Sequence, residues 1–160
     1  MIQPIQFETH FYDQLLRLVE RRHHQPHAIL GLHNFFEGSK VIRLWRPGAN
    51  QIFLEVFGTR VEARKIQDAG VFEYVVPQHT TFTDYKIFHQ NGLLEHDPYA
   101  FLPTFGEMDQ YLFGKGVHYE LYRQMGGRLT SHQGVEGAKF AVWAPNAKSV
   151  SVVGDFNYWD

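Results

Sequence analysis

The fold is decided by two stretches of this 160-residue chain, VIRLWRPGANQIFL at residues 41–54 and KFAVWAPNAKSVSV at residues 139–152. The residue pairs that they share lie 98 positions apart and are Trp45 and Trp143, Pro47 and Pro145, and Ala49 and Ala147. On each side of the proline, apolar side chains recur at every second position, which is the period of a β-strand. The repeat therefore predicts one strand–turn–strand unit written twice.

The chain around the first copy carries the same two-residue period. We predict further short strands near residues 60–66, 71–76 and 83–89, and a hairpin turn at Asn91-Gly92, a dipeptide that favours tight β-turns. Many short strands separated by turn residues are typical of a β-sandwich. The fold class expected is mainly β, with short helices before the sandwich.

The first thirty residues have a helical period instead. Thr9 is a plausible N-cap, and the apolar face predicted after it comprises Phe11, Tyr12, Leu15, Leu16 and Val19. Pro26 closes this helix and begins a short second one, which Gly31 ends.

The strand period stops after Asp97-Pro98. Residues 106–136 look like a connector, with a turn around Gly114 and a helical stretch His118–Met125. The expected organisation is a helical segment 1–39, a first β-module 40–104, a connector 105–137 and the first strands of a second module at 138–160. Because two strands do not make a stable domain, we expect a longer parent protein.

Composition narrows the function classes. The chain has 15 Lys and Arg against 17 Asp and Glu, so it lacks the basic surface that binds nucleic acid or anionic lipid. It has no apolar run of about 20 residues, and we expect no membrane partner. The absence of cysteine excludes a disulfide framework and a thiolate nucleophile, and a reducing, cytoplasmic location is expected.

Two further motifs carry a family resemblance. Residues 140–147 (FAVWAPNA) and 150–160 (VSVVGDFNYWD) resemble the start of the immunoglobulin-like carbohydrate-binding module that precedes the barrel in many enzymes of the α-amylase superfamily. Other segments resemble bacterial 1,4-α-glucan (glycogen) branching enzymes. They are residues 26–33 (PHAILGLH), residues 45–49 (WRPGA) and a junction made of DPYAF at 97–101, GEMD at 106–109 and YLFGKG at 111–116.

This resemblance implies a parent enzyme that cuts α-1,4-glucan and transfers the chain to a 6-hydroxyl, which makes an α-1,6 branch. The two carboxylates of such a retaining reaction would lie on a (β/α)₈ barrel. These 160 residues show no strand–helix alternation, so we assign them no catalytic residue, metal or cofactor. The expected partners are glycogen or α-1,4-glucan and the barrel. Two alternatives to a branching enzyme stay open. One is a scaffold protein of tandem modules with no enzyme attached, and the other is a debranching enzyme.

Five residues are candidates for sugar binding: Trp45, Trp143, Asn157, Tyr158 and Trp159. Each aromatic ring has two readings, packing or a platform for a sugar ring, and an amide beside a ring suits a hydroxylated ligand. The acid pairs Glu95/Asp97, Glu107/Asp109 and Asp155/Asp160 are expected to cap turns, and the cluster His23, His24 and His27 to form a solvated helix end. Exposed strand edges in residues 138–160 predict that this segment docks onto the first module, self-associates with another molecule or stays mobile.

Overall fold

A computed structural model of the chain describes residues 4–89, 92–155 and 159, and the side chains from residue 10 onward. The chain divides into two compact units, one ending at Phe101 and the other beginning at Leu102. None of the described helices is long and apolar enough to cross a membrane. Each unit is described separately below.

The first unit is a helix followed by eight strands. Its elements are α1 (Pro4–Val19), a 3-10 helix (Pro26–Ala28), β1 (Gly31–Asn34), β2 (Ser39–Trp45), β3 (Phe53–Val56), β4 (Thr59–Glu62), β5 (Arg64–Gln67), β6 (Val71–Pro77), β7 (Tyr85–Phe88), β8 (Leu94–Glu95) and a second 3-10 helix (Pro98–Ala100).

The strands form two antiparallel four-stranded sheets. Sheet 1 has the order β1-β2-β6-β5 and sheet 2 the order β4-β3-β7-β8. Alternate residues of both sheets fill one core, which includes Ile42, Leu44, Leu54, Val56, Phe72, Tyr85 and Ile87. Burial of these side chains provides the main stabilisation, about 1.5–3 kcal/mol for each large aliphatic or aromatic residue. The β-sandwich predicted from the repeat is confirmed.

Helix α1 covers the outer face of sheet 1. Leu15 and Leu18 pack with Ile29, Leu30 and Val71 in a second buried cluster, which Phe11 and Val19 also contact. The guanidinium of Arg43, on strand β2, lies 4.5 Å from the centre of the Phe11 ring. Strand β2 is therefore buried on both faces.

The helix itself differs from its prediction in two respects. It already includes Pro4, so Thr9 lies inside it and is not the N-cap. Tyr12 and Leu16, which were placed on the apolar face, are exposed, and Leu18 is buried in their stead. The side chains that contact the sheet are Phe11, Leu15 and Leu18, at the helical spacing i, i+4 and i+7, with Val19 beside them.

Two other elements of the first unit also differ. Residues 31–34 form β1, although the sequence assigned residues 1–39 to a helical segment; the strand exists because it pairs with β2, His33 opposite Val41. The single strand expected at 60–66 is two strands. The chain bends at Ala63, so that β4 is an edge strand of sheet 2 and β5 is an edge strand of sheet 1.

The predicted hairpin near residue 91 is confirmed by the pairing of β7 with β8, in which Phe88 lies opposite Leu94. Asn91 itself lies outside the described residues.

The second unit contains helix α2 (Glu107–Gly114), a 3-10 helix (Leu121–Arg123) and the antiparallel strands β9 (Gly126–His132) and β10 (Val135–Ala141). The predictions for this region were partly wrong. The helix precedes Gly114 instead of following it, and only Leu121–Arg123 of the stretch His118–Met125 is helical. Strand β9 lies within the residues assigned to the connector, because the Gly126-Gly127 pair begins a strand.

The second copy of the repeat keeps the turn of the first. The amide of Ala49 donates to the carbonyl of Arg46 over 3.2 Å, and the amide of Ala147 donates to the carbonyl of Ala144 over 3.1 Å. These pairs are related by the same spacing of 98 residues. The strand expected after the second turn is not formed, since the last of the described strands is β10, which ends at Ala141.

Candidate functional site

Trp45 is held at the end of a strand in the first unit. It is the last residue of β2, and its indole Nε1 donates to the carbonyl of Ala69 over 3.1 Å. The ring packs against the cluster beneath α1 and is half-buried. The structure thus gives Trp45 a packing role and leaves little of its ring face for a ligand.

Trp143 has a different environment, although it occupies the same position in the repeat. Its side chain is 64% exposed. The edge of its ring meets Phe113 of α2, with 4.8 Å between the ring centres and 68° between the planes. Phe113 is in turn contacted edge-on by Phe105. Aromatic contacts therefore hold the indole in one orientation while most of its surface stays accessible.

Trp159 is also accessible, at 68% exposure, and its indole Nε1 donates to Asp155 Oδ1 over 2.8 Å. Its backbone φ is +60°, which is uncommon for a bulky residue. The candidates Asn157 and Tyr158 lie outside the described residues. Of the five predicted residues, Trp143 and Trp159 are thus both accessible and held by a contact, Trp143 through the Phe113 ring and Trp159 through Asp155.

The acidic residues with clear partners act as structural caps. Asp97 accepts the Tyr99 amide over 3.0 Å and the Tyr85 hydroxyl over 2.7 Å, and burial raises the pKa of this carboxyl. Asp109 accepts a hydrogen bond from His118, 2.7 Å away, which lowers the pKa of Asp109, and it also accepts the Gly106 amide. The predicted capping role is confirmed for both residues.

The histidines near the end of α1 are also engaged locally. The Nδ1 atom of His23 accepts the Gln25 amide over 3.0 Å, and the ring of His27 meets the Tyr99 ring edge-on at 5.0 Å. Partial burial lowers the pKa of both imidazoles. Within the described part of the chain, no group of three or more His, Asp or Glu side chains is placed to hold a metal ion.

Sequence reasoning missed a set of accessible phenylalanines in the turns of the first unit. Phe36 is 73% exposed and Phe57 is 49% exposed. The signal available in the sequence was an aromatic residue directly before a glycine turn, as in Phe57-Gly58. Such a residue is unusual there, because these turn positions normally carry Asn, Asp or Gly.

Two family models match the chain. Residues 12–99 match the model described as alpha-1,4-glucan branching enzyme GlgB, N-terminal domain. Residues 124–160 match carbohydrate-binding module 48, described as the isoamylase N-terminal domain. The first match covers the second half of α1 and the sandwich, and the second covers β9, β10 and the repeated turn.

Named relatives agree with these matches. The chain is 70% identical over 159 residues to the 1,4-alpha-glucan branching enzyme GlgB of Protochlamydia amoebophila, covering 99% of this chain and 22% of that protein. It is 46% identical over 143 residues to the protein of the same name from Chlamydia caviae, covering 89% and 20%. The chain thus spans about a fifth of the length of these relatives.

Among solved structures, the catalytic module of the multi-modular glycogen-degrading pneumococcal virulence factor SpuA is similar over 41% of this chain and 11% of that chain, with 22% identity and a TM-score of 0.28.

Proposed function

The chain belongs to the family of α-1,4-glucan branching enzyme N-terminal domains, and from this membership we propose that it is the non-catalytic front part of such an enzyme. The parent would cut α-1,4-glucan and transfer the released chain to a glucan 6-hydroxyl. The observation that carries the proposal is the family match over residues 12–99, the same residues that fold into the described sandwich.

Catalysis is assigned to the rest of the parent protein. A retaining transfer requires a nucleophilic carboxylate and an acid/base carboxyl about 5 Å apart. In this chain, Asp97 and Asp109 have their oxygens committed to hydrogen bonds that cap neighbouring backbone. The proposed location of the reactive pair is a barrel that follows the second module. We place the enzyme in the cytoplasm, where a chain without cysteine needs no oxidising environment.

The contribution of this chain is to hold glucan near the barrel. The open indole of Trp143 supplies an apolar surface for the apolar face of a pyranose, and the Phe113 contact fixes its orientation. A weak site beside a catalytic centre raises the local concentration of neighbouring glucan chains without changing the chemistry. Such a site biases which chains are bound and transferred.

Titration of maltoheptaose into the 160-residue chain, followed by NMR, tests the role of Trp143. We expect binding in the millimolar range and a Kd about tenfold weaker in Trp143→Ala, since one aromatic contact contributes about 0.5–1.5 kcal/mol. Tyr12→Ala, which removes an exposed ring on α1, is the matched control and should leave the Kd unchanged. Equal affinity of Trp143→Ala and the unchanged chain would refute the assignment.

Analysis of the products of the full-length parent tests the reaction. Branching creates α-1,6 links with little net release of reducing sugar, whereas debranching releases reducing ends. The coding sequence beyond Asp160 provides a second test. A (β/α)₈ barrel with paired carboxylates supports the enzyme, and a stop codon directly after Asp160 would support a scaffold protein.

A further inference from the structure

Three connections meet at one end of the sandwich. They are the β1–β2 turn (residues 35–38), the β3–β4 turn (57–58) and the β6–β7 loop (78–84), together called the three-loop end below. Strand pairing places them together, because Ser39 lies opposite Pro77 and Val56 lies opposite Tyr85. Loops gathered on a rigid β-scaffold are a common location for binding sites.

Hydrogen bonds fix the three connections to one another. The Gln78 amide donates to the Gly38 carbonyl over 3.2 Å, which joins the first turn to the β6–β7 loop. The Phe57 amide donates to the Asp84 carbonyl over 2.9 Å, which joins the same loop to the β3–β4 turn. The arrangement is therefore organised before any ligand binds, which lowers the entropic cost of binding.

Phenylalanine rings are the accessible surface of this end. Phe36 packs on Phe35 with 4.3 Å between ring centres, and most of its ring is exposed to solvent. Phe57 is half exposed and lies 5.5 Å from the ring of His79, with the planes 33° apart. Neither ring contributes to the buried core of the unit.

The backbone at Phe57 favours a role for this ring beyond folding. The φ values of Phe57 and Gly58 are +48° and +76°, so both central positions of this turn are left-handed. Asn and Gly are the residues that stabilise such a turn, and a bulky side chain is disfavoured there. A half-exposed ring that weakens its own turn points to a contact that the isolated chain does not make.

The polar groups around these rings suit a neutral ligand. The Gln78 side-chain amide donates to Asn34 Oδ1 over 3.2 Å, so two amides lie side by side with further donors and acceptors available. Two charged groups are used inside the loop, since Lys40 donates to the Thr80 carbonyl and Asp84 accepts the amide and hydroxyl of Thr81. Glu37, in the β1–β2 turn, is exposed, and its carboxylate can accept hydrogen bonds from hydroxyls. Aromatic faces beside amides and a carboxylate match a polyhydroxylated sugar rather than an anion.

We propose that the three-loop end is a second glucan-binding site, separate from Trp143, in which Phe36 and Phe57 contact sugar rings and the Asn34–Gln78 amide pair orients their hydroxyls. This inference rests on the proposed function, because glucan is the polymer that the parent would act on. A second site on the same chain allows one branched polymer to be held at two points, which raises its avidity.

The test is maltoheptaose titration of the 160-residue chain, with backbone amide NMR shifts recorded for both regions. We expect saturable shifts in residues 35–38 and 78–84. Phe36→Ala and Phe57→Asn should each weaken binding at these residues about tenfold and leave the shifts around Trp143 unchanged. Phe57→Asn creates an Asn-Gly turn, so its thermal midpoint should be equal to or higher than that of the unchanged chain. Loss of binding in this variant therefore cannot result from unfolding.

Tyr12→Ala is again the control, since it removes an exposed ring elsewhere in the same unit. The proposal is overturned if the loop amides do not shift at millimolar sugar, or if Phe36→Ala and Phe57→Asn bind as tightly as the unchanged chain. Loop shifts that depend on protein concentration and not on sugar would identify a second copy of the chain as the occupant, which also overturns it. The activity of the parent, measured by its products, is independent of all these outcomes.

Discussion

Gly31 provides a sharp test of the first unit, because two separate constraints act on one position. Its φ is +92°, a conformation that L-residues rarely adopt. A Cβ placed on Gly31 would lie 2.3 Å from the carbonyl oxygen of Tyr99 and 2.8 Å from its carbonyl carbon. Both of these atoms belong to the backbone of the 3-10 helix that follows the buried Asp97. They can move only if that helix shifts.

The expected cost of Gly31→Ala is the sum of two contributions. The left-handed backbone costs an L-residue about 1–2 kcal/mol, and overpacking against backbone costs about 1–3 kcal/mol. We therefore expect the free energy of unfolding to fall by about 2–5 kcal/mol. In a unit of this size, that corresponds to a thermal midpoint lower by about 8 °C or more.

Gly48→Ala is the matched control. Gly48 also has a positive φ, +79°, but a Cβ at this position meets no atom within 4 Å. Only the backbone contribution, about 1–2 kcal/mol, should appear. Urea unfolding followed by far-UV circular dichroism measures both variants, and the difference between them isolates the clash with Tyr99. Equal destabilisation by the two substitutions would show that the Tyr99 carbonyl does not lie against Gly31.

Three further predictions concern buried groups and the second unit. Burial raises the pKa of Asp97, so its ionisation destabilises the fold, an effect absent below the ordinary aspartate pKa of about 3.9 and complete above the raised pKa. We expect the thermal midpoint of the unchanged chain to fall as the pH rises through this range, and we expect the part of this fall that is due to Asp97 to be absent in Asp97→Asn. Identical pH profiles of the two proteins would contradict this. The Thr80 hydroxyl is buried and has no hydrogen-bond partner among the described residues, so Thr80→Val should leave stability equal or raise it by about 1 kcal/mol in urea unfolding; a clear loss would show that the hydroxyl is bonded. No third strand extends the β9–β10 pair among the described residues, so we propose concentration-dependent dimerisation, measured by sedimentation, that disappears when residues 126–160 are deleted; a chain that stays monomeric at all concentrations would exclude it.

The period-two pattern predicted the sandwich because its strands are half-buried, so side chains of one parity face one core. It did not reveal β1, because four residues are too short to show a period and their strand state depends on pairing with β2. Helix α1 was found from its own period. Its packing over Arg43 and Val71 was not foreseeable, since it depends on where the helix lies on the sheet.

Strand β9 was missed for a different reason. Two successive glycines normally interrupt regular structure, but Gly127 lies opposite Phe140 in the β9–β10 pair. A Cβ on Gly127 would lie 2.9 Å from a carbon of the Phe140 ring, so the ring occupies the space that the glycine leaves empty. This compensation across a strand pair becomes visible only when the register is known.

The surroundings of the candidate sugar-binding residues could not be predicted from the sequence either. The repeat predicted equal positions for Trp45 and Trp143, but Trp45 is the last residue of β2 and Trp143 lies two residues beyond the end of β10. Their environments depend on residues distant in sequence, Ala69 for one and Phe113 for the other. The left-handed backbone of Phe57 is likewise a result of turn geometry that no periodicity encodes.

The bend at Ala63 has a consequence for how the sandwich comes apart. The nine residues 59–67 belong to both sheets, since their first half is an edge strand of sheet 2 and their second half is an edge strand of sheet 1. If either sheet unfolds at this edge, the connected edge strand of the other sheet is pulled out of its pairing as well. The two layers should therefore exchange their amide protons in a single cooperative opening rather than one after the other.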